Sequence, residues 1–153
     1  MNKEDLAIAV LEDLMLELGQ KIEKVTNTFD DPGQVYAFGI RTVIDTTTSD
    51  LRWRQLLNRS EVLANAMFRQ MGPFAIRDLQ TATHAGRFKV DDAALTWKMT
   101  THAIVGVALA VTNGEMAASV IDECVVRLLC MTGIGRGEAV DLASRDRPAL
   151  SGD

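Results

Sequence analysis

The stretch from about Ala93 to Asn113 limits most sharply what this chain can fold into, because its apolar positions recur at helical spacing on two faces. One stripe reads Leu95, Met99, His102, Gly106 and Leu109; the other reads Trp97, Thr101, Ile104, Ala108 and Val111. Beyond His102 almost every side chain is apolar or small, so this half of the helix is expected to be buried all round. One thin core does not readily cover a helix on every side. Asn113-Gly114 breaks the pattern, and a further helix follows through Met116, Ala117, Val120, Ile121, Cys124, Val125, Leu128 and Leu129.

The rest of the chain keeps the same period, and strand-like alternation is absent. Asn2 is the N-cap of a first helix whose apolar positions run from Leu6 to Ile22. Asp30-Asp31-Pro32 opens a second helix, with proline at its first position and Tyr36, Ile40, Val43 and Ile44 as its stripe. Asp50 caps a short helix through Trp53, Leu56 and Leu57. Ser60 opens a long one, in which Gly72-Pro73 is expected to kink or interrupt the path. Ala85-Gly86 stops that helix, and Asp91 or Asp92 caps the next. Gly133, Gly135 and Gly137 end the Met116 helix, and a short helix follows around residues 138–143. The spacing predicts an all-α bundle of about seven or eight helices. It forms one domain over residues 1–144, with a flexible tail over 145–153.

A net charge of −5 argues against a self-sufficient nucleic-acid binder, which needs a basic surface to meet phosphates. No secretory leader pattern opens the chain. The longest apolar run, Ala103 to Val111, is too short for a bilayer, so no membrane contact is expected. Cys124 and Cys130 are separated by roughly 9 Å of helix, beyond disulfide reach. They read as buried thiols of a cytoplasmic protein, in which Asn58-Arg59-Ser60 has no meaning as a glycosylation signal. Gly133-Ile134-Gly135-Arg136-Gly137-Glu138 follows a helix, not a strand, and is a helix stop rather than a phosphate loop. No nucleotide loop, nucleophile elbow or zinc-hydrolase motif occurs, so neither an enzyme nor a cofactor is expected. His84 and His102 lie in different helices without carboxylates at ligand spacing, so no metal is expected.

Met67, Phe68, Met71 and Phe74 bracket Gly72-Pro73, and Met99 is expected across from them. A helix break with flexible thioethers around it adapts to apolar ligands, although the same residues also make ordinary core. Tyr36, Arg41 and Trp53 are the candidate polar handles of such a pocket. His102 reads either as a histidine satisfied by a carbonyl or a facing subunit, or as a ligand contact.

Asn2-Lys3-Glu4-Asp5-Leu6, Trp53-Arg54-Gln55-Leu56-Leu57 and Gly86-Arg87-Phe88 followed by Val90-Asp91-Asp92 resemble, in order and spacing, segments of TetR-type transcriptional regulators. The first is similar to the junction where a DNA-reading head joins the long connecting helix. The resemblance implies an effector-binding body, with Met1 standing where the helix-turn-helix head would end and operator DNA reached only through that head. It also implies a homodimer, the last two long helices pairing with their two-fold mates. The interface expected there comprises Trp97, Ile104, Gly106, Ala108, Val111, Met116, Val120, Ile121, Cys124 and Leu128. The effector expected is a small apolar or amphipathic molecule. The alternative is a helical homodimerisation module without a ligand.

Overall fold

The computed structural model describes residues 2–150. Among them are α1 (Lys3–Thr26), α2 (Pro32–Ser49), α3 (Leu51–Arg54), α4 (Ser60–His84), α5 (Ala93–Thr112), α6 (Val120–Cys130) and α7 (Arg136–Ser144). A single 3-10 turn, Leu57–Arg59, joins α3 to α4, and no strand occurs among the described residues.

Short polar side chains set the helix starts. Asn2 Oδ1 accepts from the Asp5 backbone N–H at 2.8 Å, and the Asp5 carboxylate returns a bond to the Asn2 N–H, closing a capping box. Asp31 accepts from the Gly33 N–H at 2.8 Å with Pro32 in the first turn. Asp50 and Asp92 cap α3 and α5 in the same way. Each cap satisfies a donor that the helix itself leaves free, a contribution of about 1 kcal/mol.

Helix α2 touches every other α-helix and forms the centre of the bundle, with Tyr36, Ile40, Val43 and Ile44 buried along it. Helices α4 and α5 make the most extensive pair. The Trp97 indole is buried between them, and its Nε1–H donates to the Phe68 carbonyl at 3.3 Å. Trp97, Ile104 and Ala108, expected at a dimer interface, therefore belong to this chain's own core. Ile121 and Leu128 are buried there as well. The opposite stripe of α5 is the uncovered one: Leu95 is 55% exposed and Met99 53%, and His102 and Gly106 are exposed beside them. Periodicity finds two stripes but does not say which turns inward. The bulk of Trp97 decides it.

Three further expectations change. Helix α4 runs uninterrupted through Gly72-Pro73. Pro73 and Arg69 face solvent, so the Arg69 carbonyl that loses its helical donor is open to water. Helix α6 begins at Val120 rather than Met116. Gly114 takes a left-handed φ of 76°, and the Ala110 carbonyl collects the N–H groups of Glu115 and Met116 in a turn. By length and composition α5 as a whole, not only Ala103 to Val111, could cross a membrane; in this bundle its inner face packs on α4 and α2.

Residues 145–150 carry no helix but are held down. Arg145 reaches Asp31 at 2.7 Å and Asp141 at 2.8 Å, Arg147 reaches Asp45 at 3.0 Å, and Leu150 packs on the core. Residues 151–153 of the expected tail lie outside the described residues.

Asp31 ties the start of α2 to the segment between α4 and α5 and to the segment after α7, accepting from Gly33, Arg87 and Arg145. Burial pushes its carboxyl up, but the Arg87 and Gly33 bonds and then Arg145 outweigh it and hold it below the usual aspartate range. A depressed carboxyl stabilises the fold above its unfolded pKa and loses that contribution as pH falls through the folded one. Asp31→Asn is expected to cost about 1–2 kcal/mol at pH 7. Urea midpoints of the variant and the parent protein should converge as pH falls below about 4.

Candidate functional site

Four helices bring the same phase of side chains to one point. Helix α2 presents Tyr36, Gly39, Ile40 and Val43, and α4 presents Met71, Phe74, Ala75 and Asp78, both at the spacing of one helix face. Gly19 and Ile22 of α1 and Trp97 of α5 close the space. The result is a mainly apolar cavity of about 30 Å³. Glycines make it. A Cβ on Gly19 would stand 2.5 Å from Cε2 of Phe74, so the ring lies directly on the α1 backbone. Gly39 leaves open space, since a Cβ there would find its nearest neighbour, Ile22 Cγ2, at 4.0 Å.

Two polar groups border this space. Tyr36 is 1% exposed and its ring is held edge-on by Phe88 at 5.9 Å between centroids. Its hydroxyl has no hydrogen-bond partner. The neighbouring Thr100 hydroxyl instead donates to the Thr96 carbonyl at 2.7 Å. Burial pushes the Tyr36 phenol well above its usual pKa against a smaller opposing pull from the Thr100 hydroxyl, and the charge of Asp78 adds to the rise. Asp78 borders both the cavity and an outer cleft that also includes Glu23, Thr26, Pro32, Val35 and Arg77. Burial raises its carboxyl above the usual range against the opposing pull of Arg77. Arg77 itself spans from Asp78 to Glu23 on α1, at 3.1 and 2.5 Å.

Of the residues expected to bind a ligand, Tyr36, Met71 and Phe74 line the cavity. Trp53 and Met67 are buried core elsewhere. Phe68 lies under the Lys98 ammonium, 4.8 Å from its ring centroid. Arg41 is remote, paired with Asp45 and with Asp122 at 2.6 Å. Met99 and His102 face outward, the His102 Nδ1 lying 3.0 Å from the Lys98 carbonyl. Gly19, Gly39 and Asp78 were not anticipated. Glycines inside helical patterns and an acid four residues beyond Phe74 on the same face are the signals that point to them.

Larger spaces are open surface grooves. One of about 580 Å³ lies beside Arg41, Asp122, Arg145 and Arg147, whose charges already neutralise one another or nearby carboxylates. Another of about 330 Å³ runs along Leu6, Val10, Leu14 and Leu56.

The family model for the tetracyclin repressor-like C-terminal domain matches residues 31–145, and the chain belongs to that family. The crystal structure of RolR in complex with its ligand resorcinol is similar at a TM-score of 0.86 and 27% identity, covering 98% of this chain and 75% of that one. RolR without ligand gives a TM-score of 0.82 and 28% identity, covering 98% and 78%. No curated protein matches the sequence.

The glycines make a direct test. Gly39→Ala is expected to stabilise the ligand-free protein by about 0.5–1 kcal/mol, because a mid-helix glycine is entropically costly and the methyl has room. Gly19→Val should instead destabilise by about 1–3 kcal/mol through overpacking on Phe74. Denaturant midpoints check both signs.

Proposed function

We propose that this chain is the effector-binding and dimerisation body of a TetR-type transcriptional regulator, and that its effector is a small aromatic molecule lodged between α1, α2, α4 and α5. The observation that carries the reading is the apolar cavity built around Gly19 and Gly39 where these helices meet. RolR, whose structure holds resorcinol, supports the size of the effector.

An apolar cavity that admits a benzene ring measures on the order of 150 Å³. The cavity here is far smaller, so a ring has to open it, and the half-buried Phe74 and flexible Met71 are the side chains able to yield. Phe74 rests on the α1 backbone at Gly19, so its displacement presses on α1. A ligand that prefers the opened arrangement shifts the population towards it. In a regulator whose DNA-reading head precedes α1, this shift reaches the head. Thermal unfolding with resorcinol tests the reading. At a hundredfold excess over Kd the stabilisation is about 2.7 kcal/mol, a Tm rise of about 5–10 °C for a domain of this size. The small cavity also suits a module with no ligand at all, which an unchanged Tm across a panel of small aromatics would favour.

Two copies are proposed to pair through the outer face of α5, with Leu95, Met99, His102 and Gly106 at its centre and Met116, Val120 and Cys124 beside it. These apolar side chains are exposed or half-covered in the single chain. A Cβ on Gly106 meets nothing within 4 Å. Gly106→Phe therefore leaves the single chain intact and acts only on a neighbour. Sedimentation should show a dimer for the parent protein and monomer for the variant; an unaltered dimer would move the interface elsewhere.

A further inference from the structure

We infer that the cavity sorts its ligands by hydroxyl groups, accepting an uncharged aromatic diol whose one hydroxyl donates to the Asp78 carboxylate while the other accepts from the Tyr36 hydroxyl. The inference rests on the effector reading above and adds the chemistry of the site to it.

The Tyr36 hydroxyl is the starting point. It is a buried donor and acceptor without a protein partner, and native structures satisfy such a group with a bound water or a ligand atom. The neighbouring Thr100 hydroxyl donates to the Thr96 carbonyl and could serve Tyr36 only as an acceptor, and no hydrogen bond between the two is formed in this structure. Phe88 packs edge-on against the ring and limits its escape. The phenol stays protonated, so it meets a ligand as a neutral donor or acceptor.

Asp78 is the complement. Both Arg77 nitrogens that reach it go to Oδ1, at 3.3 and 3.1 Å, and among the described residues no protein donor reaches Oδ2. An ionised carboxylate only accepts, so a ligand atom that satisfies Oδ2 must carry a proton. The Asp78 charge is felt at Tyr36, yet the two groups do not bond to each other. A ring with one hydroxyl for each group bridges them across apolar walls of Ile40, Val43 and Trp97.

Charge limits the ligand further. Glu23 and Asp78 both border the outer cleft, and Arg77, the one cation that lines it among the described residues, is already shared between them. A ligand carboxylate entering beside Asp78 would find no free positive partner and would lose its hydration. The site therefore disfavours aromatic acids of the same size as the diol.

Calorimetric titration of the full chain with benzene, phenol, resorcinol and 3-hydroxybenzoate tests the inference. Affinity is expected to rise from benzene through phenol to resorcinol, with 3-hydroxybenzoate at least about tenfold weaker than resorcinol. Tyr36→Phe and Asp78→Asn should each weaken resorcinol about tenfold, the factor set by one lost hydrogen bond, and leave benzene within about twofold. Circular dichroism checks that each variant is folded, and either variant alone suffices for the comparison. If benzene and resorcinol bind alike, or the variants weaken both equally, hydroxyl sorting is wrong while the cavity remains an effector site. If none of the four compounds binds, the effector reading and the inference fail together.

Discussion

The bundle depends on the central position of α2. It contacts all other α-helices, so its apolar face serves as the common surface on which the rest assemble. Ile40 and Ile44 are almost completely buried, and Tyr36 and Val43 extend the same line. Charge holds the helix in place where packing ends. Asp31 at its start ties to Arg87 and Arg145, and Arg41 and Asp45 further along tie to Asp122 and Arg147. Ion pairs at such partly exposed positions are individually weak. Several of them converge on one helix and supply orientation in addition to the burial that supplies most of the stability.

Much of the fold was legible in the sequence because local chemistry and global packing agree. Asn2 and Asp50 are legible as caps and act as such, Asp92 is the one of the Asp91–Asp92 pair that caps α5, and within Asp30-Asp31-Pro32 it is Asp31 that caps α2. The Gly133 stop and the short final helix also follow the expected pattern. Orientation was less legible. On α5 the two stripes are similar in apolarity, and only the assembled bundle shows that Trp97 turns inward and Met99 outward. A proline in a helix reads as a break, yet Pro73 lies on the solvent side where the free carbonyl is easily accommodated.

The candidate site was legible only in part for a related reason. Sequence patterns reveal large residues, and they pick out Met71 and Phe74 as apolar lining and Tyr36 as a polar handle, all three of which border the cavity. A cavity is also defined by what is missing, and Gly19 and Gly39 contribute absence. Asp78 shares a helix face with Met71, Phe74 and Ala75 and is bonded to Arg77 beside it. Its importance appears only when α4 is set beside the unpaired Tyr36 hydroxyl. Arg41, by contrast, looked like a polar handle and proved to be occupied by Asp45 and Asp122.

The contact between Phe74 and Gly19 distinguishes the α1 wall of the cavity from the α2 wall. Helix α2 is braced by pairs to α6, the segment before α5 and the C-terminal residues, so it behaves as the stator of the bundle. Helix α1 is linked to α4 by exposed pairs, Glu12 with Arg69 and Glu23 with Arg77, and rests on an aromatic ring at a position without a side chain. In the proposed effector-bound state, displacement of the Phe74 ring would be met first by the α1 backbone at Gly19. The same missing methyl that lets the ring seat so closely would thus give that displacement a direction.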